Sequence, residues 1–272
     1  MTVPEGDKVF AGSVPTLYDT YLVPLIFEPY AADIAHRLTM LPVSRVLEVA
    51  CGTGVVTREM SSVLPQSVQI VATDLNQPML DYAASKAVSR DIQWRKADAM
   101  SLPFDDETFD AVICQFGAMF FPDKPKAFSE ARRVLKRGGS YIFNVWDRIE
   151  ENEFADVVTT SLVSMFPDDP PRFLARTPHG YNNVASIESD VRSGGFTQPQ
   201  IETIAARSRA ESPRIAAVAY CQGTPLRDEI EARDSSRLDE ATEIATNAIA
   251  SRFGEGAVDG KIQAHIIVAT RD

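Results

Sequence analysis

The chain reads as an α/β protein built on a doubly wound parallel sheet, and three observations predict that class. Residues 46 to 54, Val-Leu-Glu-Val-Ala-Cys-Gly-Thr-Gly, form an apolar strand with one acid, Glu48, that runs straight into a glycine turn at Gly52 and Gly54. A second strand, Val68-Gln69-Ile70-Val71-Ala72-Thr73, ends at Asp74, about 20 residues past that turn. From Arg45 to Val145 strand-like and helix-like stretches alternate, the order that builds a parallel sheet with helical crossovers.

Each element has a local cause. Residues 14 to 41 repeat Tyr18, Tyr21, Leu22, Leu25, Ile26, Tyr30, Ile34 and Leu38 near helical spacing, and Pro24 and Pro29 are expected to break or kink the run. This segment is expected to fold over the mouth of the site, or else to pack as a helix pair on the sheet edge. There follow strand 45–50, helix 54–63, strand 68–74, helix 77–88, strand 92–97, strand 109–115, helix 123–136 and strand 140–146. Asn76 with Pro78 and Pro122 with Asp123 open their helices; Gly138-Gly139 is expected to close the last one, with Lys136-Arg137 in its final turn. Residues 148–184, with Pro167, Pro170, Pro171 and Pro178, read as a loop-rich excursion with a short helix near 152–166. A helix at 184–194, a strand at 198–207, a mostly helical insertion near 212–254 and a terminal strand at 262–270 complete the order. One domain is expected, with a cofactor-binding core and lid over 10–147 and a substrate side over 148–272, where the helical insertion caps the site.

Composition excludes several functions. The 272 residues are 44% hydrophobic, enough for a packed core. A net charge of -11 argues against nucleic acid, which calls for a basic face to displace counterions. Three cysteines, Cys51, Cys114 and Cys221, are odd in number and lack zinc-site spacing, which points to a reducing compartment and no metal. No apolar run approaches the roughly 18 to 20 residues that span a bilayer, and Met-Thr-Val-Pro-Glu-Gly-Asp-Lys has no basic-then-apolar leader pattern. A cytoplasmic monomer or homodimer acting on a small molecule is expected.

The glycine turn and its two acids carry the chemistry. Glycine lets a backbone turn tightly and approach a ligand with no Cβ in the way, and an acid at the end of the second strand is placed to meet a ribose diol. That spacing also fits a dinucleotide enzyme. However, the dinucleotide fingerprint wants glycine or alanine three places after the second glycine, where Thr57 stands, and Glu48 sits badly beside a diphosphate. A carboxylate facing the loop suits the ammonium or sulfonium of S-adenosylmethionine, because opposite charges attract.

Taken together, these residues resemble the class I S-adenosylmethionine-dependent methyltransferases, in particular the branch similar to the ubiquinone and menaquinone biosynthesis methyltransferases, with a methyltransferase type 11 domain. Glu48-Val-Ala-Cys-Gly-Thr-Gly54 looks like the family's acid-x-Gly-x-Gly-x-Gly loop, Asp74-Leu-Asn-x-x-Met79-Leu80 like its ribose segment, and Lys96-Ala-Asp98-Ala99-x-x-Leu-Pro-Phe104 like its adenine segment. Phe109-Asp-Ala-Val-Ile-Cys-Gln115-Phe116-Gly117 looks like its fourth strand and Val134-Leu-Lys-Arg-Gly-Gly139 like the approach to its fifth, so the likeness spans roughly residues 10–147. It implies a Rossmann-like sheet of seven strands with an antiparallel terminal strand. It also implies that Gly52 and Gly54 lie against the methionyl part of the donor, that Glu48 faces its ammonium, and that Asp74 accepts from the ribose with Leu75 and Met79 alongside. Asp98 would accept from the adenine amino group, Ala99 would offer a backbone donor, and the main chain of Gln115 would contact the methionyl group, beside Phe116. Ala50 replaces the family's first glycine, and a slightly tighter loop is expected. Asp74 and Asp98 also have plainer readings, as caps of the helix and loop that follow them.

Methyl transfer needs proximity, alignment and a dry pocket, and a base only where the acceptor must lose a proton. His179, in Thr-Pro-His-Gly-Tyr, is the candidate base; His265 alternates with Ile262, Ala264, Ile266 and Val268 and reads as a core residue, and His36 as a surface one. Tyr18 is a candidate for the donor site and Tyr21 for the acceptor. Phe116 and Met119 are expected on an apolar acceptor wall, with Phe120 and Phe121 assigned to packing, and Cys221 and Gln222 on the lid. Two rivals remain at this level: a non-methylating enzyme of the same fold, such as a cyclase, and a donor-sensing regulatory module.

Overall fold

The computed structural model describes residues 14–86 and 88–272; residues 10–13 of the expected core, and Ala87 in the expected helix 77–88, lie outside them. Seven strands, β1 (Arg45–Val49), β2 (Gln69–Asp74), β3 (Ile92–Lys96), β4 (Phe109–Gln115), β5 (Leu135–Trp146), β6 (Gln200–Ala210) and β7 (Val258–Thr270), form one sheet in the order β3-β2-β1-β4-β5-β7-β6. The first five pair in parallel, and β7 runs antiparallel to both β5 and β6. The strand order reverses between β1 and β4, so the carboxyl ends of these two strands open the crevice where ligands of such sheets bind. β4 is buried along almost its whole length, as a strand covered by helices on both faces must be.

Strict alternation along β5 sorts the two covering layers. Tyr141 and Phe143 pack on Phe128 of α5 (Lys124–Val134), whereas Trp146 packs edge-on against Tyr30 of α2 (Glu28–Thr39). α2 lies on α3 (Val55–Val63), and α5 on α8 (Val184–Ser193). Ahead of α2, α1 (Val14–Leu17) passes directly into a π-wound segment, Tyr18–Phe27, with Pro24 inside it. Proline removes one N–H from the helical ladder, and the run takes this up by widening its turns instead of breaking. Pro29 stands in the first turn of α2, where its missing N–H costs nothing.

Two boundaries differ from expectation for a physical reason. α5 ends at Val134, with Arg132 and Arg133 in its last turn, and Gly138-Gly139 belong to β5. A Cβ on Gly139 would stand 2.9 Å from the Asp110 carbonyl, so these glycines allow β5 to press on β4 at the point where their register shifts. β6 and β7 are also longer than their apolar patterns suggest, because Arg207, Arg209 and Asp259 pair across the exposed end of this antiparallel strand pair.

Residues 148–184 hold α6 (Glu153–Ser161) and α7 (Phe173–Arg176), and the insertion holds α9 (Pro213–Gln222), α10 (Leu226–Arg233) and α11 (Leu238–Phe253). α9 packs on α11 and on the π-wound segment, and α11 packs on α6, so cap and amino-terminal run meet over the sheet. Among the described residues no helix is long and apolar enough to cross a membrane.

Candidate functional site

At the carboxyl end of β1 the chain takes left-handed backbone three times, at Ala50 (φ 55°), Gly52 (φ 55°) and Gly54 (φ 82°). Alanine at such a position costs about 1 kcal/mol or more. The methyl of Ala50 also has a visible counterpart across the loop: a Cβ built on Gly117 would lie 2.6 Å from it and 2.7 Å from the Cys114 sulfur. Gly117 is therefore the residue that makes room for Ala50. Gly54 opens α3 (its own Cβ would press on Ala83 and Trp94) and lines neither of the two hollows that border the loop.

The loop borders a cavity of about 240 Å³ at the switch point. Asp74 ends β2 beneath it, buried, its Oδ2 accepting the Gly52 N–H and its Oδ1 the Asn76 N–H, both at 2.8 Å. One carboxylate thus fixes the glycine loop and starts α4 (Gln77–Ser85). Burial raises its pKa above the ordinary carboxylate range, and the N–H donors work against that shift. Asp98 lies further along the wall and accepts the Met100 N–H at 2.8 Å. Leu75, Met79, Ala99 and Phe120 complete an apolar surface around these acids.

A hollow of about 20 Å³, room for one water-sized group, adjoins the cavity between Tyr18, Glu48, Gly52 and Gln115. Glu48 is 1% exposed and accepts a very short hydrogen bond from Thr57 Oγ1. Burial pushes Glu48 up to about 8, helped by the charge of Asp74 and opposed by the Thr57 bond and Arg58. The side chain of Gln115 donates to the Phe27 carbonyl at 3.4 Å, while its buried Oε1 has no hydrogen-bond partner. Glu48, bonded to Thr57, and Gln115, whose Oε1 has no partner, thus line the same small space.

Residues 47–143 match the family model described as a methyltransferase domain. The ubiquinone/menaquinone biosynthesis C-methyltransferase of Saccharophagus degradans is 37% identical over 167 residues, covering 57% of this chain and 67% of that one. The chain belongs to the S-adenosylmethionine-dependent methyltransferases. The demethylmenaquinone methyltransferase of Deinococcus radiodurans is 42% identical over 113 residues, covering 41% of this methyltransferase and 46% of its own length. The chain spans between 44% and 68% of the curated relatives it matches. Among solved structures, the [4+2]-cyclase SpnF aligns with a TM-score of 0.54 at 20% identity, over 90% of this chain and 81% of the other, a likeness of fold.

In this methyltransferase, Tyr18, Ala50, Gly52, Asp74, Leu75, Met79, Asp98, Ala99, Gln115 and Phe116 all line the cavity, and Glu48 lines the adjoining hollow. The expected acceptor residues fare differently. Tyr21 and Met119 do not line it; the 3₁₀ turn Ala118–Phe120 turns Met119 into the core and leaves Phe120 and Phe121, assigned by sequence to packing, on the wall. Cys221 is fully buried, its thiol pushed up to about 12 by that burial, and Gln222 is bonded to Thr242 at 3.1 Å, because α9 turns this face to α11.

The expected base is also displaced. His179 is buried, its Nδ1 lies 2.8 Å from the Asp147 carbonyl, and its ring packs 5.9 Å from Trp146. Burial lowers it to about 4 against the pull of that carbonyl, so it stays neutral. Trp146 in turn stacks on Phe116 at 3.8 Å, and only Phe116 of these three rings borders the cavity. His265 sits in the sheet as expected, between Thr203 at 2.9 Å and Asp147 at 3.3 Å. Sequence reasoning missed Asn76, Met100 and Pro122 on the wall; each lies within two residues of a motif acid or a cavity aromatic.

Proposed function

We propose that this methyltransferase acts on a small apolar or aromatic acceptor of the kind handled in quinone biosynthesis. The observation that carries the reading is one cavity lined both by two carboxylates, Asp74 and Asp98, and by the apolar side chains of Phe116, Phe120, Phe121 and Met100. The names of its curated relatives point to quinone precursors as the acceptor class. The residues fit the donor: Asp74 Oδ1 takes the backbone N–H and the side-chain amide of Asn76, while Oδ2 holds the Gly52 N–H and keeps a second lone pair for a ribose hydroxyl. Asp98 and Ala99 suit the adenine edge, and Glu48 with the unpartnered Gln115 Oε1 suits an ammonium.

When bound, the donor supplies an electrophilic methyl group on a sulfonium, and the chain supplies alignment and a dry wall. Among the described residues no histidine lines the cavity. An acceptor hydroxyl is expected to arrive ionised, its proton already with solvent; its oxygen or ring carbon forms the new bond to the methyl group as the methyl–sulfur bond breaks and S-adenosylhomocysteine leaves. Parallel calorimetric titrations with S-adenosylmethionine, S-adenosylhomocysteine and a nicotinamide dinucleotide test the donor. Mass spectrometry with hydroquinone acceptors then tests the transfer, where a gain of one methyl group supports the reading. A product of unchanged mass would assign a cyclisation instead, and dinucleotide binding alone would overturn the donor site.

A further inference from the structure

Asp19 stands next to Tyr18 on the π-wound segment, and its carboxylate is only 11% exposed although it does not itself line the cavity. Arg58 of α3 donates to its Oδ1 at 2.9 Å, Tyr82 of α4 donates to its Oδ2 at 3.3 Å, and the Lys86 ammonium at the end of α4 lies 3.4 Å from Oδ2. Arg58 reaches further and donates through Nη1 to the Thr53 carbonyl at 2.6 Å, inside the glycine loop. α3 is the helix that the glycine loop opens, and α4 is the helix that the Asp74 turn opens. A single carboxylate on the turn that carries Tyr18 is thus tied to both elements that border the donor cavity. The π winding fits this placement, since such turns recur where a helix is reshaped for a functional purpose.

We infer that Asp19 is a positioning residue for the methyl donor: it holds Tyr18 across the cavity, and Arg58 couples that hold to the glycine loop. The inference rests on the donor site proposed above. A ligand beneath Tyr18 leaves when this turn lifts, and lifting separates a largely buried carboxylate from a guanidinium and a phenol. Hydrogen bonds to charged groups are strong enough that losing the Arg58 contact is expected to speed release about tenfold.

The test is a dissociation rate, by stopped-flow displacement of S-adenosylhomocysteine, together with its calorimetric Kd. These are measured in the full chain, in Asp19→Asn, in Arg58→Ala and in the double variant. Each single change is expected to raise both the rate and Kd about tenfold, the double to exceed neither by more than about twofold, and Asp19→Glu to recover part of the loss. Rates within twofold of the parent, fully additive effects, or a fall in melting temperature with unaltered release would each overturn the inference. Should Asp19→Asn fail to fold, Tyr82→Phe and Lys86→Ala remove its other partners, and release is expected to quicken about two- to threefold; unchanged release in both would overturn it equally. Absence of binding by the parent chain would remove the donor site itself, whereas binding by the parent with unaltered variants would remove only the role of Asp19.

Discussion

The polar groups of the two halves of the chain are satisfied in different ways. Between Arg45 and Trp146 the acids at the cavity are held by backbone: Asp74 by the Gly52 and Asn76 N–H groups, Asp98 by that of Met100. Beyond Trp146 the polar groups expected at the acceptor or as base are engaged or packed away: Gln222 with the Thr242 side chain, Cys221 in the core of the insertion, and His179 buried against the Asp147 carbonyl. A carboxylate that must catch a particular backbone N–H at a strand end fixes its own residue type and its spacing from a glycine. A side-chain pair inside packed helices can be built from many residue types at many spacings. The first half therefore carries motifs, and the second half carries packing.

The largest way to break that contrast is Asp74→Ala. It removes the proposed ribose acceptor and leaves the Gly52 and Asn76 N–H groups without their partner, so calorimetry should show donor affinity weakened by about 1.5 to 3 kcal/mol. A comparable change in the other half, Gln222→Ala, should leave donor affinity within twofold. Equal effects at the two positions would dissolve the distinction.

Next in size is Gly117→Ala, which asks whether the loop geometry is as tightly determined as the Ala50 and Cys114 contacts imply. Its new methyl would meet the Ala50 Cβ at 2.6 Å and the Cys114 sulfur at 2.7 Å, and overpacking of this kind costs about 1 to 3 kcal/mol by denaturant unfolding. Ala50→Gly in the same chain relieves the first clash and the left-handed strain together. The double variant should therefore be more stable than Gly117→Ala alone, and simple additivity would show that the two residues do not share the space.

Glu48 sharpens the comparison through pH. In the free chain burial holds its carboxyl near 8, so it is protonated at pH 6 to 7. A group whose folded pKa lies above its unfolded value of 4.5 binds its proton more tightly when folded, so its contribution to stability is full below 4.5 and is lost as pH rises to about 8. A cationic ammonium beside it favours the ionised form. Donor affinity should then rise between pH 6 and 8, by about tenfold for each unit over which the free chain holds a proton that the complex releases. Calorimetry in buffers of different ionisation enthalpy should detect that proton, and Glu48→Gln should flatten the rise. A flat profile in the parent chain would place the ammonium elsewhere.

The same contrast explains what the sequence disclosed. The strands β1, β2 and β4 were legible because buried parallel strands are continuous apolar runs, and much of the cavity was legible because Gly52, Asp74 and Asp98 each meet a backbone constraint that shows as spacing. The exchange of Met119 for Phe120 and Phe121 on the wall was not, since one 3₁₀ turn decides which of several adjacent apolar side chains points inward. The full length of the antiparallel β6–β7 pair was obscured by its charged outer end, whose arginines pair with Asp259. The ties of Asp19 were hidden for a third reason: Arg58, Tyr82 and Lys86 are 39, 63 and 67 positions away in sequence, and only the helix packing brings them together.

The smallest expected effect concerns His179. Replacing it with alanine leaves the pH dependence of turnover unaltered, because its ring lies behind Trp146 and Phe116 and is neutral throughout the working range. The change instead appears in stability. Burial lowers the folded pKa to about 4, from 6.5, so the unfolded chain binds the extra proton first and the parent protein loses stability as pH falls from 6.5 toward 4. His179→Ala removes that slope while costing packing at all pH values, so unfolding curves at pH 5 and pH 7.5 should differ less in the variant than in the parent. A turnover profile that lost its low-pH fall in the variant would mean that Trp146 moves aside during the reaction and that the second half of the chain does contribute a proton-transfer group after all.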